Sequence, residues 1–174
     1  MTEAKGRYIH SYLSSRQIPD LLQTIFIGEL ICPSRTLWIV SPWVSDIPVL
    51  DNTANQFMSL EPAFAGRKIR LSEVLVKILS MGSTVCVVTR PDSHNRYFTG
   101  MLKSWLKVNH GNLILHEVGE LHEKGLLGDY YYLAGSMNFT YNGITLNQEA
   151  VHFTTDPQIV AENRLVFAHR WGGE

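Results

Sequence analysis

Short apolar segments rich in β-branched residues alternate with segments of helical periodicity along the chain of 174 residues. The segments 36–40, 84–89 and 112–118 have the length and composition of buried strands. Two intervening stretches place apolar residues at helical intervals, one after Ser72 and one after Asp92. Strands separated by helices favour a largely parallel sheet with helices on both faces. The alternation therefore predicts an α/β fold.

Capping residues indicate where the helices begin and end. A first helix is expected over residues 16–31, where apolar residues recur at helical intervals. Ser72 is a candidate N-cap of the next helix, and Gly82 is placed to end it. A last helix is expected over residues 156–171, because Asp156 can cap it and a proline follows in the first turn.

The remaining segments divide into regular and irregular parts. A dense β region over residues 122–138 and a strand around 150–154 are expected to add a hairpin-like extension to the sheet. Residues 51–70 mix Asn, Pro and Gly with aromatic residues and show no clean period, which predicts an irregular excursion. Since no internal repeat or linker stands out, residues 1–174 are interpreted as one domain.

Composition limits the classes of protein to consider. The sequence has no run of about 20 apolar residues that would span a membrane, and residues 1–7 lack the apolar core of a secretory signal, so a cytoplasmic protein without a membrane partner is expected. A net charge of -1 argues against non-specific coating of nucleic acid but allows a small phosphate-binding cleft. Cys32 and Cys86 have apolar neighbours and are expected to be buried reduced thiols.

One segment, LHEKGLLGDYYYLAGSMNFT, concentrates side chains that suit an anion. His122 and Lys124 are two positions apart in an expected strand, so both should project from one face. Asp129 follows in the same segment, and Ser136 and Asn138 come after a turn. Lys, Ser and Asn side chains can donate hydrogen bonds to the non-bridging oxygens of a phosphate. A neutral imidazole beside such donors can attack the phosphorus atom.

The pattern His-x-Lys-x4-Asp, followed by Gly-Ser-x-Asn, resembles the HKD motif of the phospholipase D superfamily, and every position of the motif is present. Glu149, in the sequence Asn-Gln-Glu, resembles the carboxylate that follows this motif and orients the catalytic imidazole. The Ser-Pro-Trp sequence from Ser41 to Trp43 is similar to a loop that lies beside the active site in superfamily members. The resemblance implies a phospholipase D-like domain with a mostly parallel or mixed sheet.

The resemblance also implies a mechanism that needs two copies of the motif. This chain contains one His-x-Lys, so a homodimer with an isologous contact is implied. His122 of one copy would attack a phosphodiester, and the same residue of the other copy would protonate the leaving oxygen. Lys124, Ser136 and Asn138 would hold the phosphoryl oxygens, while Asp129 would position the motif. Neither a metal ion nor another cofactor is implied.

Four further residues are candidate substrate contacts. Ser41 and Trp43 follow the first expected strand, and the Trp43 ring could stack on a base. His94 and Arg96 lie where the next strand gives way to its helix, which is where ligands bind parallel sheets. A solvated loop is an equally good interpretation of that second pair. The tyrosines at 130–132 are expected to serve packing.

Three functional hypotheses follow from these residues. Short chains with one motif resemble the bacterial endonuclease branch of the superfamily, which implies hydrolysis of DNA through a phosphohistidine. A phospholipid hydrolase or transferase is an alternative, although no amphipathic helix with a basic face supports it. The third is a partner-gated or non-catalytic subunit of a DNA-modification or phage-defence complex, in which a protein partner would supply the DNA affinity.

Overall fold

The computed structural model describes residues 6–173. Within that range the chain forms four α-helices, which are α1 Gln17–Ile31, α2 Leu71–Ser80, α3 Arg96–Val108 and α4 Pro157–Trp171. It also forms nine strands, which are β1 Gly6–His10, β2 Thr36–Val40, β3 Pro48–Asp51, β4 Lys68–Arg70, β5 Thr84–Thr89, β6 Asn112–Glu117, β7 Gly125–Leu127, β8 Tyr132–Gly135 and β9 Ala150–Thr154.

The main sheet is mixed and has the strand order β1-β9-β8-β7-β2-β5-β6. β2, β5 and β6 pair in parallel, as the alternation of strands and helices predicts. The pairs β2–β7, β7–β8, β8–β9 and β9–β1 are antiparallel, so the hairpin-like extension is larger than expected and makes up more than half of the sheet. The α/β fold is confirmed, with a mixed sheet rather than a largely parallel one.

Helices cover both faces of the sheet, and the alternation of side chains along β2 shows how. Leu37 and Ile39 belong to a core that includes the apolar faces of α1, α2 and α3. Trp38 and Val40 point to the other face, where Trp38 packs edge-on against Phe167 of α4 with ring centroids 6.4 Å apart. All these side chains are buried, which explains why β2 is a continuous apolar run.

The N-cap predicted for α4 is confirmed, whereas the N-cap predicted for α2 is wrong. Asp156 caps α4 by accepting hydrogen bonds from the N–H groups of Gln158 and Ile159, as expected. Ser72, the expected N-cap of α2, lies inside the helix instead. Its N–H donates to the carboxylate of the buried Asp46 at 2.9 Å, so a side chain from another segment satisfies the first turn.

Two further expectations need correction. The segment 51–70 is not wholly irregular, because its ends belong to β3 and β4, which pair as a separate two-stranded antiparallel sheet. Cys86 is buried as expected, but Cys32 is exposed because it follows the last turn of α1 at the protein surface. No helix within residues 6–173 is long and apolar enough to cross a membrane.

Candidate active site

Several strand ends meet at one edge of the main sheet. Val40, the last residue of β2, lies opposite Gly125, the first residue of antiparallel β7. The register continues with Gly125 opposite Ala134 and Gly135 opposite Val151, so the end of β8 and the start of β9 lie at the same edge. The carboxyl end of β5 joins them because β5 is parallel to β2. We call this edge the site edge.

His122 and Lys124 lie on the loop that enters β7 at the site edge. The expectation that they share one face of a strand is wrong, because β2 ends at Val40 and β7 begins to pair only at Gly125. Lys124 Nζ instead donates a hydrogen bond to the His122 carbonyl oxygen at 2.8 Å. The His122 side chain is exposed. The loop therefore presents an accessible imidazole next to an ammonium group.

Arg90 is a residue of the site that the sequence interpretation missed. Its Nη2 lies 3.3 Å from both Nδ1 and Nε2 of His122, and its Nε donates to the Leu121 carbonyl oxygen at 2.8 Å. The guanidinium also lies over the Trp43 ring, 4.9 Å from the centroid. The signal in the sequence was a cation directly after β5, at the carboxyl end of a parallel strand.

Glu149 and Ser136 form a pair at the site edge. Glu149 is buried, and its carboxylate accepts hydrogen bonds from the Ser136 hydroxyl and, at 3.3 Å, from Asn147 Nδ2. The Ser136 oxygen also accepts from the Ala150 N–H at 3.0 Å. Among the hydrogen bonds of the described residues, none joins Glu149 to His122. Glu149 therefore fixes Ser136 directly, and the contact with the imidazole that the resemblance implies stays a prediction.

Ser41 connects the loop after β2 to Asn138. Its oxygen lies 2.8 Å from the Trp43 carbonyl oxygen and 3.3 Å from Asn138 Oδ1, and it accepts from the Phe139 N–H at 3.3 Å. Ser41 is fully buried and its hydrogen bonds go to protein groups, so its role as a substrate contact stays a prediction. Through these contacts the Ser41 hydroxyl joins the loop after β2 to the segment that contains Asn138 and Phe139. Within residues 6–173, the Asn138 amide nitrogen makes no hydrogen bond, so it can donate to a ligand.

Two glycines allow the motif segment to approach its neighbours closely. Gly135 has a φ of +153°, and a Cβ there would collide with the Ala150 carbonyl oxygen. A Cβ on Gly143 would collide with the Asn138 carbonyl oxygen. Only glycine fits at either position without moving backbone. The glycine of the Gly-Ser-x-Asn pattern is therefore required by the close approach of β8 to β9.

Asp129 lies away from the other motif residues. β7 separates it from Lys124, so it lies near the start of β2 and of β5, at the opposite edge of the sheet. Its carboxylate accepts hydrogen bonds from Arg164 of α4 and from Arg35 Nε at 3.4 Å, and its N–H donates to Ser34 Oγ at 2.9 Å. A strand of three residues stands between Asp129 and the site edge, so these contacts suit the positioning role that the resemblance implies, and a direct part in catalysis stays a prediction. Asp129 positions α4 against the sheet.

A polar cavity of about 330 Å³ adjoins the motif, and we call it the side cavity. Its lining includes Trp43, Ser45, His94, Asn138 and Thr140, together with Tyr141, Asn142 and Asn147 from the turn before Glu149. His94 Nε2 is 2.8 Å from Ser45 Oγ, and the role of His94 as a substrate contact stays a prediction. Arg96 is exposed at the start of α3 and does not line this cavity.

Asp92 holds the wall of the side cavity in place. Its carboxylate accepts from the His94 N–H at 2.8 Å and from Trp43 Nε1 at 3.4 Å. These hydrogen bonds, the one from His94 first, hold the pKa of Asp92 below its usual value. The charged form of Asp92 therefore joins the loop after β2 to the loop after β5.

Two cationic groups lie at the site edge, which are Lys124 of the motif and, beside His122, Arg90 from the loop after β5. Within residues 6–173, no three His, Cys, Asp or Glu side chains cluster so that they could hold a metal ion.

Comparison with protein families gives one match, which extends over most of the chain. The family described as "Cardiolipin synthase, PLD-like domain" matches residues 47–171. That range contains the HKD segment and every strand from β3 to β9. No curated protein sequence matches the chain significantly.

Solved structures with the same fold are similar over nearly the whole chain. NucT from Helicobacter pylori is 14% identical, with a TM-score of 0.58, covering 95% of this chain and 94% of its own. Nuc from Salmonella typhimurium, described as a phospholipase D family member, is 14% identical with a TM-score of 0.60, covering 97% and 94%. The archaeal chromatin protein TrmBL2 is 14% identical with a TM-score of 0.55, covering 98% of this chain and 54% of its own. At this identity the similarity shows the fold alone.

The matched range and the shared fold agree with the position of the motif. His122 and Lys124 come from the loop before β7, Ser136 and Asn138 come from the loop after β8, and the sheet brings the two loops to one edge. The chain therefore belongs to the phospholipase D-like domain family.

Proposed function

We propose that the protein is a metal-independent phosphodiesterase that hydrolyses DNA through a phosphohistidine, at a site completed by two copies of the chain. The observation that carries this proposal is the contact of Arg90 with His122 beside Lys124. An exposed imidazole with two cations next to it can bind a phosphodiester and attack it, because the cations neutralise charge on the phosphoryl oxygens.

The proposed reaction has two steps. An imidazole nitrogen of His122 attacks phosphorus, forming an N–P bond, while the P–O bond to the leaving strand breaks. The protonated imidazole of the second copy gives its proton to the leaving oxygen. Water then attacks the phosphohistidine and returns a proton to that imidazole, and the N–P bond breaks to release the phosphate monoester.

The protein's own cations would take the part that a metal ion plays in other phosphoryl transfers. Arg90 Nη2 contacts the imidazole directly, so a phosphate that approaches the ring also meets the guanidinium. Arginine suits this task, since its planar group donates two parallel hydrogen bonds to phosphate oxygens. Asn138 and Lys124 would supply further donors.

Two copies are proposed because the chain carries a single motif and the reaction needs two imidazoles. The exposed position of His122 supports this, since a second copy could approach it. DNA is proposed because short single-motif chains resemble the endonuclease branch of the superfamily. The shared fold with TrmBL2, which is described as binding DNA, is compatible with that substrate class.

The experiment is cleavage of labelled DNA by the purified protein in the presence of EDTA. We expect cleavage by the wild type and none by His122→Ala, whereas His169→Ala, an exposed histidine in the last turn of α4, should retain activity. Loss of all cleavage on addition of EDTA would exclude the metal-independent reaction.

A phospholipid substrate is the second candidate, because the description of the matching family names cardiolipin synthase. Hydrolysis or transfer on phospholipid vesicles by a protein that leaves DNA intact would favour it.

A partner-gated subunit is the third candidate, and the net charge of -1 favours it. A protein that is inactive alone but cleaves DNA when a co-purifying partner is restored would support this assignment.

A further inference from the structure

The side cavity differs in charge from the motif next to it. Lys124 of the motif and the neighbouring Arg90 are cations. By contrast, no Lys, Arg, Asp or Glu is among the residues that line the side cavity. Its polar groups are the amides of Asn138, Asn142 and Asn147, with hydroxyls and one imidazole beside them. Such a lining suits an uncharged polar group and not a second phosphate.

The side cavity and the motif share two residues. Asn138 belongs to the motif and also lines the cavity. Trp43 lines the cavity and carries the Arg90 guanidinium over its ring, and that guanidinium contacts His122. A substrate whose phosphate lies at His122 would therefore place an adjoining chemical group in the side cavity.

Several groups in the cavity have unused hydrogen-bonding capacity. Among the residues that the structure describes, the side chains of Tyr141 and Asn142 make no hydrogen bond, and the Asn138 amide nitrogen makes none. Tyr141 is 58% exposed, so its side chain is accessible to a ligand. Planar aromatic surfaces stack on bases, and asparagine amides pair with base edges through two hydrogen bonds.

We propose that the side cavity holds one unpaired nucleobase of the nucleotide next to the cleaved phosphate. This inference rests on the proposed function and narrows its substrate to single strands or unpaired positions. A base must leave its duplex to enter such a cavity, which costs free energy that a single strand does not lose. An acyl chain is a poor occupant, because burying it against three amides would leave their polar groups unpaired.

The test compares single-stranded oligonucleotides that have identical backbones. In one of them, a run of stable abasic residues replaces the nucleotides around a defined cleavage region. We expect kcat/KM for cleavage in the abasic run to be about tenfold lower than in the ordinary strand, because stacking and hydrogen bonding of one base are lost. Duplex DNA of the same sequence should also be cleaved more slowly.

Variants connect this difference to the cavity. The double variant Tyr141→Ala, Asn142→Ala should cleave the abasic run as the wild type does but lose its preference for bases. Tyr130→Ala is the matched control, because Tyr130 is an exposed tyrosine beside Asp129 at the opposite edge of the sheet. It should keep the preference.

The outcomes separate this inference from the proposed function. Cleavage of both strands at equal rates would overturn the base site and leave the phosphodiesterase intact. Cleavage of neither strand, with hydrolysis of phospholipid vesicles, would overturn both. A preference for bases that survives the double variant would show that another surface recognises them.

Discussion

Arg90 Nη2 lies 3.3 Å from each ring nitrogen of His122, so an arginine rather than a carboxylate contacts the imidazole of the motif. A guanidinium remains protonated and can only donate, so a hydrogen bond from it requires a ring nitrogen that carries no proton, and the tautomer of the neutral imidazole decides which nitrogen that is. The Leu121 carbonyl oxygen and the Trp43 ring hold the guanidinium in this position. The arrangement couples the geometry of the imidazole to the loops after β2 and β5.

Removing Arg90 should reduce turnover strongly. Arg90→Ala is expected to lower kcat by about 100-fold, because one preorganised donor to the reacting phosphate is lost. Arg90→Lys should recover part of that loss through its charge. Steady-state kinetics on labelled DNA measure both. Lys107→Ala, which removes an exposed cation near the end of α3, is the control and should not change kcat. An unchanged kcat in Arg90→Ala would contradict the role of the guanidinium.

Asp129 should matter for stability and not for chemistry. Asp129→Ala is expected to lower the free energy of unfolding by about 1.5–3 kcal/mol, because hydrogen bonds from charged Arg35 and Arg164 are lost. Chemical denaturation measures this change. At a temperature where the variant is folded, kcat should equal that of the wild type. A large fall in kcat with unchanged stability would show that Asp129 takes part in catalysis.

Gly143 should be intolerant of a methyl group. Gly143→Ala is expected to displace Asn138, because the new Cβ would collide with the Asn138 carbonyl oxygen. Cleavage should fall while the protein stays folded by circular dichroism. Gly28→Ala is the control, since nothing lies within 4 Å of a Cβ there and alanine favours a helix over glycine. Equal activity of the two variants would show that Asn138 has no catalytic part.

The two cysteines should differ in reactivity. Burial raises the pKa of the Cys86 thiol to about 12, so it stays protonated in mildly alkaline buffer, whereas Cys32 is exposed. A thiol reagent should label one cysteine of the folded protein and both after denaturation. The raised pKa also predicts that folding stability decreases as the pH rises above 9, because the unfolded thiol ionises first. Labelling of both thiols in the folded protein would contradict this burial.

The sequence was most informative where local physics determines the structure. β2 and β5 have the predicted bounds, because strands buried on both faces must be continuous apolar runs. Asp156 caps α4 through contacts within its own turn. β1 was missed because its residues are mostly exposed and only pairing with β9 orders them. Local pattern carries no information about such a distant partner.

The sequence identified the residues of the motif but not their positions relative to one another in the fold. Motif spacing placed Asp129 five residues from Lys124 in the chain, but an extended strand advances about 3.3 Å per residue and carries Asp129 to the opposite edge. The buried contacts of Ser41 with the Phe139 N–H and of Glu149 with Ser136 were not predictable, because each joins segments that are distant in the chain. Arg90 comes from a segment about thirty residues before the motif, so only the sheet brings it to His122.

The central claim is that His122 becomes covalently phosphorylated in a dimer, and trapping that adduct tests it most directly. Labelled DNA would be mixed with the protein in EDTA, and the reaction stopped in alkali, which preserves an N–P bond. Mass spectrometry of the digested protein should locate an acid-labile phosphoryl adduct on His122 of the dimer and none in His122→Ala. An adduct on another residue, cleavage without any adduct on His122, or an adduct formed by a monomer would contradict the account.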